Sequence, residues 1–148
     1  MTCTFFGHRD TSTPIKDDLK KTIIDLVNLH GVNTFYVGNN GSFDFLVQQV
    51  LAELYQNDTC VNFSIVLSSL SEHISPDLCR YSIFPEEMEK SLPRFAISKR
   101  NEWMIKRASF AIVYLTHKYS NCPKWVEKAE KRGIKIINLA NANHDHTH

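Results

Sequence analysis

Glycine is scarce in this chain: five occur among 148 residues, where an average composition would supply about ten. They form neither the GxGxxG fingerprint of a dinucleotide-binding turn nor a P-loop. The four cysteines, Cys3, Cys60, Cys79 and Cys122, are widely scattered and make no CxxC pair. That spacing excludes the usual zinc and thioredoxin-type motifs and reads as reduced thiols of a cytoplasmic protein. Long apolar runs are missing as well. The longest lies near residues 110–115, far short of the roughly 20 residues a membrane helix needs, and no stretch resembles a signal peptide. No membrane partner is expected, and the three Asn-x-Ser/Thr triplets carry no meaning without secretion. Charge of one sign is lacking too. Seventeen Lys and Arg against sixteen Asp and Glu leave a formal charge of +1, which is not the concentrated basic footprint that duplex nucleic acid calls for.

What is present is ordinary globular material, 43% hydrophobic and 22% charged, enough for one domain with a sizeable core. Residues 4–6 form a β-type run ending at Gly7. Thr13 and Pro14 suit the N-cap and first position of a helix whose apolar face is Ile15, Leu19, Ile23, Leu26, Val27 and Leu29, with Gly31 as its stop. Residues 33–37 read as a second strand. Ser42 is placed to cap a second helix with Phe43, Leu46, Val47, Val50, Leu51 and Leu54 on one face. A third strand is expected over residues 61–67. Residues 68–93 hold Pro76, Pro85 and Pro93 and a Tyr81-Ser82-Ile83-Phe84 patch, and read as a loop with short helical pieces, in the place of a lid. A helix over 98–107, a fully buried strand over 110–115, a helix over 124–132 closed by Gly133, and a last strand over 134–139 complete the chain.

Strands alternating with helices argue for an α/β architecture. The expectation is a single Rossmann-like three-layer domain over residues 1–140, with a mostly parallel five-stranded sheet in the order 3-2-1-4-5 and helices on both faces. Residues 141–148 read as a frayed polar tail. In that order the carboxyl ends of the first and fourth strands flank the topological switch point, where open α/β sheets bind ligands. The apolar helices and the patch at residues 81–84 suit a homodimer.

Three segments fall at that edge. Gly7-His8-Arg9 follows the first strand directly; glycine permits a sharp turn or close approach, Arg9 offers a planar fork to phosphate or carboxylate, and His8 can carry a proton near neutral pH. Gly38-Asn39-Asn40-Gly41-Ser42 feeds a helix N-terminus whose amides can cradle an anion. Asp44 complements the helix dipole there, or accepts from ligand hydroxyls. Arg100 and Asn101 stand on the helix before the fourth strand, where Trp103 and Met104 are expected in the core and the two polar residues have no such packing duty. Each segment has an ordinary alternative: a solvated turn, a common strand-to-helix loop, an amphipathic helix. The alternating His144, His146 and His148 read as part of the frayed tail rather than as a metal site, and Cys122 has no evident base beside it. No metal and no cofactor are implied.

Taken in order, the motifs 4–9 (Thr-Phe-Phe-Gly-His-Arg), 35–44 (Phe-Tyr-Val-Gly-Asn-Asn-Gly-Ser-Phe-Asp), 100–104 (Arg-Asn-Glu-Trp-Met) and 111–114 (Ala-Ile-Val-Tyr) resemble the SLOG superfamily. That superfamily groups the Smf/DprA DNA-uptake proteins with the LOG nucleotide hydrolases, and its YpsA-like small proteins are the most similar branch. The resemblance spans nearly the whole chain. It implies a Rossmann-like fold that binds a nucleotide or nucleotide-derived ligand. In the LOG phosphoribohydrolases, which cleave the N-glycosidic bond of a nucleoside monophosphate, an Arg before the fourth strand works with a Glu in a glycine-rich loop after it. Arg100 matches that Arg. The glycine-rich loop has no counterpart; Thr116-His117-Lys118-Tyr119 stands in its place, and Glu127 falls on the following helix. Gly38-Asn39-Asn40 replaces the branch's Gly-Gly-Ala.

The sequence therefore points first to a binding module for a small nucleotide-like ligand at the carboxyl edge of the sheet. Its expected ligand-binding residues are Gly7, His8, Arg9, Gly38, Asn39, Asn40, Gly41, Ser42, Asp44, Arg100, Asn101 and Thr116. A nucleotide N-glycosidase is the enzymatic alternative, with Arg100, His8 and Asp44 as catalytic candidates, but such chemistry needs a positioned carboxylate. A DprA-like single-stranded DNA binder is the third reading, against which the near-neutral charge argues.

Overall fold

The computed structural model describes residues 1–7, 15–57, 61–115 and 122–140, the side chains of Cys122 and Pro123 excepted. Strands β1 (Thr2–Gly7), β2 (Thr34–Val37), β3 (Asn62–Val66), β4 (Ser82–Ile83), β5 (Phe110–Tyr114) and β6 (Lys135–Asn138) alternate with helices α1 (Lys16–His30), α2 (Ser42–Gln56), α3 (Ala96–Arg107) and α4 (Cys122–Lys131). The strands form one sheet in the order β4-β3-β2-β1-β5-β6, and every pairing is parallel.

The expected order is present with one addition: the sheet has six strands, not five, and is parallel throughout. The extra strand, β4, comes from the segment read as irregular. It pairs Ser82 with Ile65 and Ile83 with Val66. Two residues are too few to show a period of two, and three single 3-10 turns, Cys79–Tyr81, Glu86–Met88 and Pro93–Phe95, surround it with loop-like composition.

Period-two alternation sorts the strand side chains into two cores. Cys3, Phe5, Phe35, Val37, Ile65, Ile112 and Tyr114 face one way, onto Leu19, Ile23 and Leu26 of α1 and Val47, Leu51 and Leu54 of α2. Phe6, Val66, Ala111 and Val113 face the other, onto Met104 and Ile105 of α3 and Ala129 of α4. All five residues of β5 are buried, as expected of a strand covered on both faces.

Local expectations fared unevenly. Gly31 ends α1 in the left-handed conformation, φ 68°, as its position suggested. Leu29 does not join the apolar face but is 73% exposed, because it lies a turn beyond the last buried position, Leu26. Ser42 is the first residue of α2 rather than its cap; Gly41, at φ 95°, holds the cap position. Trp103 is only half-buried. Its ring takes Tyr36 edge-on at 5.0 Å and the Arg107 guanidinium at 3.8 Å. The patch at residues 81–84 is half-buried within its own chain, with Tyr81 stacked on Phe63 at 4.4 Å. Thr13, Pro14, Cys60 and the tail lie outside the described residues. Among the described residues, no helix is long and apolar enough to cross a membrane.

Cys3 and Cys79 are free thiols, the first buried and the second exposed. Burial pushes the Cys3 thiol far above its ordinary range, which removes the reactive thiolate. Peptide mapping after brief iodoacetamide treatment of the native protein should find Cys79 alkylated and Cys3 untouched; labelling of Cys3 at a comparable rate would contradict its position inside the sheet.

Candidate functional site at the carboxyl edge of the sheet

The chain runs β1 to β4 outward on one side of β1 and then returns to place β5 on the other. The switch point thus lies between the carboxyl ends of β1 and β5, where Gly7 is the register partner of Tyr114. His8, Arg9 and Thr116, in the loops that leave these two strands, lie outside the described residues.

The first turn of α2 bridges this switch point and the end of β2. Phe43 points to the β1–β5 side. Its ring stacks with Tyr114, centroids 6.4 Å apart, and occupies the space a Cβ on Gly7 would need, with Phe43 Cδ2 only 2.5 Å from that position. Glycine at position 7 therefore serves the packing of Phe43, a duty the sequence reading did not foresee.

Asp44, the next residue, works on the β2 side. Its Oδ2 accepts the Asn40 backbone N–H at 2.8 Å. This resembles the reciprocal bond of a capping box, in which an acidic side chain of the first turn reaches back to the loop. Asp44 is buried, 8% exposed. Its carboxylate and the Arg100 guanidinium converge on one point. A Cβ on Gly38 would lie 2.8 Å from Arg100 Cζ and Nη1 and 2.9 Å from Asp44 Oδ2. Only a residue without a side chain admits both groups there.

Arg100 is 2% exposed. It donates through Nε to Asn101 Oδ1 at 2.9 Å and through Nη1 to the Val66 carbonyl, the last residue of β3, at 3.3 Å. A buried guanidinium is tolerated only when its donors are met, so Arg100 and Asn101 have a structural duty after all. They tie α3 to the ends of β2 and β3. On the other side of Gly38, Gln48 donates through Nε2 to the Gly38 carbonyl at 2.9 Å and to Asn39 Oδ1 at 3.0 Å. Asn39 in turn donates through Nδ2 to the His73 carbonyl at 2.8 Å. The loop after β3 is fixed further by Glu72, which accepts from the Ser68 N–H and Oγ, both at 3.0 Å.

The structure therefore brings together Gly38, Asn39, Asn40, Asp44, Arg100 and Asn101, with Gly41 and Ser42 in the same turn and Gly7 one residue's reach away through Phe43. Sequence reasoning missed Gln48, Ser68, Glu72 and the second role of Phe43. Gln48 was legible: it stands four residues after Asp44, on the same helix face. The contacts of residues 68–73 come from a loop whose path no periodicity reveals. Among the described residues, no cluster of three His, Cys, Asp or Glu suits a metal ion.

The crowding at Gly38 gives a direct test. Gly38→Ala should force the guanidinium or the carboxylate from its place and lower stability by about 1–3 kcal/mol, read from the urea unfolding midpoint. An unchanged midpoint would show that the bend has slack the geometry does not suggest.

No family model matches this sequence, and no curated protein does. A solved structure of DNA processing protein A from Helicobacter pylori, described for its single-stranded DNA binding mode, is similar to 99% of this chain and 73% of that one, with a TM-score of 0.62 and 12% sequence identity. At that identity the likeness is one of fold, and as a fold it is consistent with the SLOG resemblance.

Proposed function

We propose that this chain is a binding module for a nucleotide or nucleotide-derived ligand, held at the carboxyl edge of the parallel sheet beside the switch point. The observation that carries the reading is the convergence of buried Arg100 and Asp44 on Gly38. Buried charged and polar groups gathered at the strand ends, rather than spread through the core, are a common mark of a ligand site in open α/β sheets. The motifs of residues 4–9, 35–44 and 100–104 support placing the chain near the YpsA-like branch of SLOG proteins. We assign His8, Arg9 and Thr116 to the same site from their sequence positions after β1 and β5. The loop after β3, tied to Asn39 through the His73 carbonyl, walls the site on the β3 side.

Differential scanning fluorimetry against nucleoside mono- and diphosphates, ADP-ribose and NAD tests this. A ligand at a hundred times its Kd adds about 2.7 kcal/mol, which for a domain of this size raises Tm by about 5 °C or more. Arg100→Lys should erase most of that shift, because an ammonium lacks the planar fork. No response to any of these compounds would sink the reading.

A second reading, single-stranded DNA, is favoured by the likeness to the H. pylori protein. The balanced charge of this chain, +1 in total, argues for weak phosphate-backbone contacts. Fluorescence anisotropy with a labelled oligo-dT at about 50 mM salt should show no saturable binding at micromolar protein. Saturable, salt-sensitive binding there would reverse the order of the two readings.

A further inference from the structure

We propose that Asn138, the last residue of β6, is a positioning residue for the switch-point half of the ligand edge. Its side-chain amide fixes Leu115, the residue at which the chain leaves β5 for Thr116. The bearing of Asn138 on a ligand rests on the nucleotide reading given above; its hold on Leu115 does not.

The reason lies in how the strands end. β5 runs between β1 and β6. On the β1 side its pairing continues to Tyr114, the register partner of Gly7 at the switch point. On the β6 side the pairing stops one residue earlier, at Val113 and Asn138. Residues 139 and 140 then take up helical backbone, so β6 offers no further rung to the end of β5. Leu115 is half-buried, and backbone groups drawn from water need partners. Asn138 supplies both. Its Oδ1 accepts the Leu115 N–H at 3.2 Å, and its Nδ2 donates to the Leu115 carbonyl at 3.4 Å. A carboxamide carries a donor and an acceptor, as a peptide group does, so one side chain stands in for the strand residue that is missing.

The same Oδ1 accepts the Ala140 N–H at 3.1 Å, the bond an N-cap makes to the second residue of its helix. Asn138 thus ties the exit from β6 to the exit from β5. Leu139, between the capped pair, is fully buried in the core that holds Phe5, Ile112 and Tyr114, so the amide is anchored at its base. The two duties differ in reach. Serine or threonine serves a cap nearly as well, but only the longer carboxamide spans to both backbone groups of Leu115. Thr116, assigned to the site by its sequence position, follows Leu115 directly, and order at Leu115 reaches the site through one peptide bond.

The test compares the natural protein with Asn138→Ser, each as the whole chain labelled with nitrogen-15. Serine keeps the cap bond to Ala140 and releases Leu115. Hydrogen–deuterium exchange of the Leu115 amide should run about tenfold faster in the variant, the scale of one lost hydrogen bond, while the Ile112 amide keeps its natural rate. AMP and ADP-ribose, titrated against the amide shifts, should bind about fivefold or more weakly to the variant, because a site loses affinity when its supporting residues loosen. A residue that served only as a cap would move neither readout. Unchanged exchange at Leu115 overturns the proposal. So does a rise shared equally by Ile112, which marks general loosening, and so does nucleotide binding at the natural affinity. If neither compound binds the natural protein, the nucleotide reading fails by itself. Exchange then decides the hold on Leu115: a local rise supports it and none overturns it. Should Asn138→Ser not fold, Asn138→Thr takes its place.

Discussion

A guanidinium out of reach of water governs the carboxyl edge of this sheet. Placing Arg100 at 2% exposure requires that its charge be answered locally, since an unanswered buried ion costs several kcal/mol. The answers come from four different elements. Asn101 on the same helix and the Val66 carbonyl at the end of β3 take its hydrogens. Gly38 at the end of β2 yields its side-chain space, and Asp44 from α2 brings a carboxylate to the same point. The ends of two strands and the flanks of two helices are thereby held in fixed relation, and the loops that leave them inherit that order.

The packing beneath is conventional and serves this arrangement. Two cores, one on each face of the sheet, hold the strands in parallel register. They bring the first turn of α2 over the strand ends, where Phe43 closes on Gly7 and Tyr114 while Asp44 turns to Gly38. Consecutive residues on a helix diverge by about a quarter turn, so one turn of helix meets both halves of the edge. The scarcity of glycine fits this picture. Gly7 and Gly38 are each placed where the side chain of another residue needs the room, and Gly31, Gly41 and Gly133 where φ is positive.

Much of this was readable from the residues alone. Alternation of strands and helices gave the layers, the strand order and the switch point, because the right-handed crossover leaves few alternatives. The run at residues 110–115 declared a strand buried on both faces. The gathering of Gly38, Asp44 and Arg100 at one edge followed from their positions at element ends. What stayed hidden depended on contacts between residues far apart in sequence. Strand β4 was too short to show a pattern. The meeting of Asn39 with His73, 34 positions away, follows from a loop path that local composition does not encode. The loop at residues 38–42 showed its glycines and amides in the sequence, but not that the Asp44 carboxylate folds back to accept the Asn40 N–H.

The central strand has a further consequence, in time rather than in space. Strand β1 is flanked by β2, its early neighbour in the chain, and by β5, in which Ile112 pairs with Phe5 about a hundred positions later. The middle of the sheet therefore stays open along one side until most of the chain has been made. Pairings of such separation carry a large loop-closure entropy and are slow to form. Until β5 arrives, Phe5, Phe6 and Tyr114 have no place to go together, and the switch point does not exist. The carboxyl edge at the switch point is among the last parts of the sheet to be completed.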